Sequence, residues 1–365
     1  MFKTLLAAAS LAPIAAFSET PKVITDIAPV HALVTQVMAG VGEPVLLMPQ
    51  GDNPHNFQLR PSQMGAIQDA DLFVWIGPEL MPALERARNA ADGLTALSLL
   101  HVPGLETLTT DHVHDHDHDH DHAEHDDHND DHDEHNHDDH EHETSHDDDH
   151  SEHADHKDSD HGHDEEAHKD HDHDSHDHDE HEEDHGTAQG EAKRLDPHVW
   201  LSPASAMVWL DAIADELSKI DPDNAALYHE NAHKAEESYA TLDAKIDALL
   251  EPVHEKGFIV AHDAYRYFNN RYDLNQKGTL SESDAASPSA ARLAEIEELT
   301  RSGEITCVFM EPGHYEGLMS EFSKSDGVRV GMLDPTGQDI PIGADMLAGL
   351  LWMHANAVHD CLSGK

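Results

Sequence analysis

DLFVWIGP, residues 71–78, is the stretch that decides the fold class of this 365-residue chain. Its apolar run continues without alternation until Gly-Pro ends it, which is typical of a strand buried on both faces of a parallel sheet. Two further strand-like segments, KVITDIAP (22–29) and EPVLLMP (43–49), precede it, and helix-like segments at 30–39 and 60–70 separate the strands. Strands that alternate with helices in this way predict a parallel sheet with helices on both faces.

The same alternation returns in the last third of the chain. Strands are predicted at GFIVAH (257–262), EITCVFMEP (304–312) and VRVGMLDP (328–335), and helices at 286–300 and 345–360. Between the two regions one helix is predicted to end near residue 220. Another is predicted over 222–251, where apolar residues recur at steps of four and three. The expected fold is therefore α/β, with two lobes that each contain a mainly parallel sheet flanked by helices, joined by a long rigid helix.

Residues 111–186 form an insert of very different composition. They hold 26 His, 35 Asp plus Glu and two Lys, so the insert carries −33 of the chain's formal charge of −54. Its only aliphatic residues are one Val and three Ala. These are too few to offset the entropy of ordering the segment, so a disordered loop is expected. The strong negative charge excludes nucleic acids as partners and disfavours anionic membrane surfaces.

The N-terminus has the pattern of a secretory signal peptide. Lys3 precedes the apolar run LLAAASLAPIAAF, and Ala16 and Ser18 are small residues suited to a cleavage site after residue 18. We therefore expect a soluble protein exported to a bacterial periplasm.

The predicted boundaries are 1–18 for the signal peptide, 19–110 for the N-terminal lobe, 111–186 for the metal-binding loop, 187–221 for the end of the N-terminal lobe, 222–251 for the linking helix and 252–365 for the C-terminal lobe.

The chain has two cysteines, Cys307 and Cys361. An even number of cysteines in an exported protein favours one disulfide bond. The alternative is a pair of independent buried thiols.

Three of the 11 histidines outside the insert stand out by their position. His55 follows a predicted strand, His198 directly precedes a predicted helix, and His262 ends the strand at 257–262. Asp334 ends the strand at 328–335. Ligands bind at the carboxyl ends of strands in open parallel sheets, and three imidazoles with one carboxylate suit tetrahedral zinc. The alternative is that these are scattered structural histidines.

Several local motifs carry a resemblance to a known family. NPHNFQLRPSQ, ADLFVWIGPELMPAL, DPHVWLSP, FIVAHDAYRYF, TCVFMEP and MLDPTG occur here in this order. Together they resemble the metal-binding solute receptors of bacterial ABC transporters, most closely the zinc-specific ZnuA branch, which often carries a His- and acid-rich loop at the place of the insert. The resemblance implies a two-lobed periplasmic receptor, not an enzyme, that holds Zn²⁺ between its lobes and works with a membrane permease.

The resemblance also implies roles for individual residues. His55, His198 and His262 are the expected zinc ligands, and His262 favours zinc because manganese receptors of this type tend to have a carboxylate there. The expected fourth ligand is Asp334, with water as the alternative, since Pro54 stands where some zinc receptors have an acid. The family's disulfide corresponds to Cys307 and Cys361.

Carboxylates close in sequence to the expected ligands are candidates to hold their imidazoles, because imidazole ligands usually donate their second N–H to an oxygen. They are Asp196, Asp263 and Glu311. Helix capping and turn formation are the alternative roles.

A zinc hydrolase is the competing class, because HENAH (229–233) matches the HExxH pattern of metalloproteases. HETSH (142–146) and HEEDH (181–185) match it as well, so composition alone produces the pattern here.

A periplasmic zinc buffer or chaperone is the other alternative. In the receptor hypothesis the insert captures extra zinc through histidines such as His114, His116, His118 and His120. The receptor is expected to be a monomer, with a periplasmic zinc chaperone as a possible second partner.

Overall fold

The computed structural model describes residues 20–110, 194–281, 287–313, 322 and 327–365. The chain divides into two compact units, residues 1–112 together with 192–365, and residues 113–191. The second unit lies outside the described residues, as do the expected signal peptide at 1–18 and the insert at 111–186. The described architecture below belongs to the first unit.

The first sheet contains four parallel strands in the order β2-β1-β3-β4. Its strands are β1 (Val23–Thr25), β2 (Val45–Leu46), β3 (Leu72–Trp75) and β4 (Thr95–Ser98). The helices that alternate with them are α1 (Ala28–Val37), α2 (Pro61–Gln68) and α3 (Pro82–Asn89). Every residue of β3 is buried, as its continuous apolar run predicted. These elements, together with residues 194–220, which include helix α4 described next, are called the first lobe.

Two short antiparallel strands and two long helices follow. They are β5 (Thr109–Thr110), β6 (Arg194–Leu195), α4 (Pro203–Ile220) and α5 (Ala225–Leu250). Helix α5, of 26 residues, is the linking helix, and a 3-10 turn at Pro222–Asn224 precedes it, so it begins three residues later than predicted. Its Asn231 donates to the carbonyls of Val37 and Ala39 at 3.0 and 2.9 Å, which attaches it to α1.

The second sheet repeats the topology of the first, with four parallel strands in the order β10-β9-β7-β8. Its elements are β7 (Phe258–Val260), α6 (Arg266–Arg271), β8 (Gln276–Thr279), α7 (Ala290–Arg301), β9 (Cys307–Met310), β10 (Arg329–Met332) and α8 (Met346–Ser363). These elements are called the second lobe. In each sheet the strand order reverses between the first and third strands, the point where open α/β sheets bind ligands.

The linking helix packs against both lobes. It contacts α1 and α4 in the first lobe and α8 in the second. The buried carboxylate of Asp243 on α5 accepts hydrogen bonds from Tyr272 Oη and Arg271 Nε of the second lobe, both at 3.0 Å. The two-lobed α/β architecture with a long linking helix is therefore confirmed.

The predicted disulfide is present between Cys307 on β9 and Cys361 on α8, with Cα atoms 6.1 Å apart. Closing a loop of 54 residues contributes about 4 kcal/mol in the chain-entropy model. None of the described helices has the length and apolar character that a bilayer crossing requires.

Six elements were not predicted from the sequence: α3, β4, β5, β6, α6 and β8. The strands β4 and β8 lie at sheet edges, where one side of the strand is not paired. Their residues, TALS and QKGT, are only partly buried or exposed, so neither has the apolar run that revealed the central strands. Helix α6 has only six residues, which is too short for a helical periodicity to appear.

Candidate metal centre

The second sheet places two polar side chains at the point where its strand order reverses, between β7 and β9. His262 follows β7 by two residues, and Glu311 directly follows β9, its neighbour in the sheet. The first lobe brings two histidines to the same place. His55 lies in a 3-10 turn (Pro54–Asn56) after β2, and His198 immediately precedes another 3-10 turn (Val199–Leu201).

Together these elements bring the three predicted histidines into one cluster. His55, His198 and His262 each offer one ring nitrogen, and these nitrogens all lie within 4.8 Å of one another. The Nε2 atoms of His55 and His198 are 3.1 Å apart. Across the part of the chain that the structure describes, this is the single group of three or more potential metal ligands so close together. His198 is 8% exposed and His262 6%, whereas His55 is exposed.

Asp196 holds the ring of His198. Its Oδ1 accepts the backbone N–H of His198 at 3.0 Å and lies 2.8 Å from Nδ1 of the same residue. Asp196 is only 1% exposed, so little water competes for these contacts. Because Nδ1 is occupied by the carboxylate, Nε2 is the nitrogen left to face His55.

Glu311 plays the corresponding part for His262. Its Oε1 lies 2.8 Å from Nδ1 of His262 and accepts the Tyr265 hydroxyl at 3.0 Å. Burial, with the nearby Glu311 charge, raises the pKa of Tyr265 well above its ordinary value, so the hydroxyl keeps its proton and donates. The two buried histidines thus each have a carboxylate oxygen 2.8 Å from Nδ1, one from each lobe.

Asp334 lies against the same cavity but outside the three-histidine cluster. Its Oδ1 accepts Thr336 N–H at 2.9 Å and Thr336 Oγ1 at 2.7 Å, and its Oδ2 accepts Gln338 N–H at 2.6 Å. The carboxylate therefore closes the turn that follows β10. The backbone carbonyl of Asp334 accepts Nε2 of His354 at 2.7 Å.

His354 is a supporting residue that the sequence did not reveal. It lies on α8, is 1% exposed, and has its ring near the ring of Tyr265. Burial lowers the pKa of His354 despite the opposing effect of the Asp334 carbonyl, so the neutral ring donates to that carbonyl. Its local sequence gives no sign of this contact, because the partner carbonyl is 20 residues away in the chain.

Two side chains of the first lobe bind the turn that contains Asp334. Trp200 Nε1 donates to the carbonyl of Pro335 at 2.8 Å, and Gln50 Nε2 donates to that of Gly337 at 2.8 Å. Neither contact could be predicted from local sequence patterns. Trp200 and Pro335 are 135 residues apart in the chain, and Gln50 and Gly337 are 287 residues apart. They keep the two lobes together around the cluster.

The cavity enclosed by these groups is small. Its volume is about 70 Å³, and its lining includes the three histidines, Glu311 and Asp334. A single water molecule needs only about 10–15 Å³ of such space, so the cavity has room for a metal ion together with water. Its donors are imidazole nitrogens and carboxylate oxygens, which are the usual ligands of zinc in proteins.

Comparison with known proteins agrees with this donor set. The sequence profile of the family described as "Zinc-uptake complex component A periplasmic", ZnuA, matches residues 23–357. The chain belongs to the ZnuA family. The description of this family names a periplasmic component of a zinc-uptake complex, which agrees with the predicted receptor class and gives the hydrolase alternative no support.

Individual ZnuA proteins resemble the chain over nearly its whole length. The high-affinity zinc uptake system protein ZnuA of Paracoccus denitrificans is 43% identical over 361 residues, which cover 98% of this chain and 97% of that protein. The protein of the same name from Brucella suis is 33% identical, covering 94% and 92%. A crystal structure of ZnuA aligns with a TM-score of 0.64 at 21% identity, covering 94% of this chain and 99% of that one, and this likeness concerns the fold.

The remaining predicted site residues have other surroundings. Asp263, adjacent to His262, accepts Gln276 Nε2 at 3.1 Å and lies 3.6 Å from Arg266 Nε. His229 and His233 are on α5 with exposed side chains. His114, His116, His118 and His120, together with the motifs HETSH and HEEDH, lie outside the described residues. Among the residues that the structure describes, the three-histidine cluster is thus the candidate metal centre of this ZnuA-family chain.

Proposed function

We propose that this chain is the zinc-binding receptor of an ABC importer. It captures Zn²⁺ in the periplasm between its two lobes and delivers the ion to a membrane permease. The observation that carries the proposal is the cluster of His55, His198 and His262 in a cavity of about 70 Å³. Zinc is the cargo in this scheme, so the receptor binds and releases it without chemical conversion.

The proposed ligands are the three histidines and Asp334. Zn–N bonds of about 2.0–2.1 Å at tetrahedral angles place ligand nitrogens about 3.4 Å apart. The 3.1 Å between His55 and His198 Nε2 is close to this spacing. Asp334 Oδ2 accepts one hydrogen bond from its turn, which leaves it a lone pair for the metal after a small shift toward the cluster. Water is the alternative fourth ligand.

The division of ligands between lobes gives a route to release. His55 and His198 come from the first lobe, whereas His262 and Asp334 come from the second. Zinc binding therefore stabilises the arrangement in which the lobes lie together, and separating them removes half of the ligands. A permease that binds the separated arrangement more tightly would lower the zinc affinity through this linkage.

The insert is proposed to be an accessory zinc-capturing segment. Its 26 His and 35 acidic residues are suited to several weak zinc sites, with His114, His116, His118 and His120 among the ligands. Because protons compete with zinc for imidazole, binding by the insert should weaken below about pH 6. A signal peptide at residues 1–18, a soluble monomer and supply by a periplasmic zinc chaperone complete the proposal.

Calorimetric zinc titration at pH 7 tests this function. The metal-free protein is compared with a shortened chain that lacks residues 111–186, so that residues 187–193 close the gap between β5 and β6. One tight site that survives the shortening, with weaker sites lost, is the expected result. If the shortened chain has no tight site, the main zinc site lies in the insert and the protein is a zinc buffer or chaperone.

A further inference from the structure

The insert is attached to the first unit through a short paired segment, which we call the neck. The neck consists of Leu108–Thr110 before the insert and Arg194–Asp196 after it. Its strands are antiparallel, with Thr109 opposite Leu195 and Thr110 opposite Arg194. The backbone N–H of Asp196 donates to the carbonyl of Leu108 at 2.8 Å. The described residues on either side of 111–193, Thr110 and Arg194, are therefore held beside each other.

Helix α6 of the second lobe binds both strands of the neck. The hydroxyl of Tyr267 accepts the Leu108 N–H at 2.9 Å and donates to the carbonyl of Asp196 at 2.9 Å. Arg266 Nη1 donates to the carbonyl of Thr109 at 2.6 Å. Tyr267 is 6% exposed, and burial raises its pKa to about 12, so the hydroxyl keeps the proton that it donates.

The neck is also the structure that places His198. The carbonyl of Asp196 accepts the Tyr267 hydroxyl, while the carboxylate of the same residue holds His198 Nδ1 at 2.8 Å. Tyr267 lies on the helix that follows His262. Through its hydroxyl group, Tyr267 therefore connects Asp196, which orients His198, to helix α6. This helix follows the second-lobe histidine, His262.

The charge of the insert explains why the neck needs this attachment to the second lobe. Residues 111–186 carry a formal charge of −33 when their histidines are neutral. Charges of one sign repel each other and expand a chain, and each bound zinc or proton reduces that repulsion. The force of the insert on its two ends therefore changes with its occupancy. Only residue 197 separates Asp196 from His198. Without the hydrogen bonds of Tyr267, the neck would therefore transmit this force to His198.

We infer that Tyr267 is a positioning residue that makes the geometry of the zinc site independent of the insert. By binding both strands of the neck to the second lobe, it holds His198 at ligand distance from His262 whatever the insert binds. Arg266 supports it at Thr109. This inference rests on the proposed function, because it concerns the same zinc site.

Four proteins test the inference: the full chain and the chain lacking residues 111–186, each with Tyr267 and with Tyr267→Phe. The measurement is the rate at which zinc leaves the tight site after addition of excess EDTA. The substitution keeps the ring and leaves Leu108 N–H and the Asp196 carbonyl without their partner. We expect zinc to leave the full chain about tenfold faster, within the range for losing the two hydrogen bonds of this hydroxyl, and its rate to change by less than about twofold in the shortened chain.

A matched control is Tyr272→Phe, which removes another buried hydroxyl of the same lobe, donated to Asp243 Oδ1 at 3.0 Å. It should change the rate by the same factor in both chain lengths. If Tyr267→Phe also acts equally in both, or has no effect in the full chain, the inference is overturned. If Tyr267→Phe does not fold, Arg266→Gln replaces it, with a smaller insert-dependent acceleration expected.

The parent proteins separate this inference from the proposed function. A shortened chain with Tyr267 that has no tight site overturns the proposed function, and the inference with it. A shortened chain that keeps its tight site, combined with an effect of Tyr267→Phe that does not depend on the insert, overturns the inference alone.

Discussion

The three histidines of the centre are held to different degrees. His198 and His262 are buried, and each has a carboxylate oxygen 2.8 Å from its Nδ1, from Asp196 and Glu311 respectively. His55 is exposed and lies on a 3-10 turn, where its backbone N–H binds the Asn53 side chain at 2.8 Å. The centre thus combines a buried, oriented pair of ligands with a third ligand at its surface.

This difference indicates the order in which zinc meets its ligands. An exposed imidazole can exchange a water of the incoming ion without desolvation of its surroundings. The buried pair then binds with little loss of side-chain entropy, because Asp196 and Glu311 already fix the rings. We therefore expect His55 to govern mainly the rate of entry and the buried pair to govern affinity.

The largest effect should come from removing a buried imidazole. His198→Ala or His262→Ala should weaken zinc binding by more than about 100-fold, the upper range for losing a residue that only supports a ligand. His55→Ala should weaken it less, because water can replace an exposed ligand. Competition with a chelator of known affinity, in the chain lacking residues 111–186, measures all three variants.

If His55→Ala and His262→Ala lowered zinc affinity equally, the distinction between a buried pair of ligands and a surface ligand would be wrong. Circular dichroism of each variant without metal checks that the fold is retained. His229→Ala is the matched control, since it removes an exposed histidine from α5, and zinc affinity should not change.

Substitution of the supporting carboxylates should have a smaller effect. Glu311→Gln and Asp196→Asn should each weaken zinc binding by about 10–100-fold, because the amide no longer enhances the basicity of the ligand. Asp263→Asn is the control, since Asp263 is adjacent to His262 in sequence but pairs with Gln276 and Arg266. The same chelator competition measures the series, and an effect of Asp263→Asn equal to that of Glu311→Gln would contradict the account.

The sequence predicted the parts of this centre that depend on local patterns. The apolar runs at 71–78 and 257–262 revealed central strands, and the positions of His55, His198 and His262 beside predicted elements indicated the cluster. Asp196 and Glu311 were also found, because each is near a histidine or a strand end in the sequence.

The contacts that cross between lobes could not be predicted in this way. Trp200 and Pro335 are 135 residues apart, and nothing in either local sequence indicates that an indole N–H meets that carbonyl. The same holds for Tyr267, whose partners are in the neck, and for His354, whose partner is the Asp334 carbonyl. Such contacts arise only when two separately patterned lobes fold against one another.

The smallest effect is expected at the proposed fourth ligand. Asp334→Asn keeps an oxygen that can accept the Thr336 donors. It replaces Oδ2, the proposed ligand atom, by an NH2 group that cannot bind the metal, so zinc affinity should fall by about tenfold. Calorimetry on the chain lacking residues 111–186 measures the change. An affinity equal to that of the parent would show that water, and not Asp334, completes the site.

The central claim is that His55, His198 and His262 bind one zinc ion between the two lobes. Its most direct test is a crystal structure of the zinc-loaded protein with anomalous data collected on both sides of the zinc edge. The account predicts a strong anomalous peak bonded to the three histidine rings at about 2.0–2.1 Å. A structure without zinc at that position, while zinc is bound elsewhere on the chain, would contradict it.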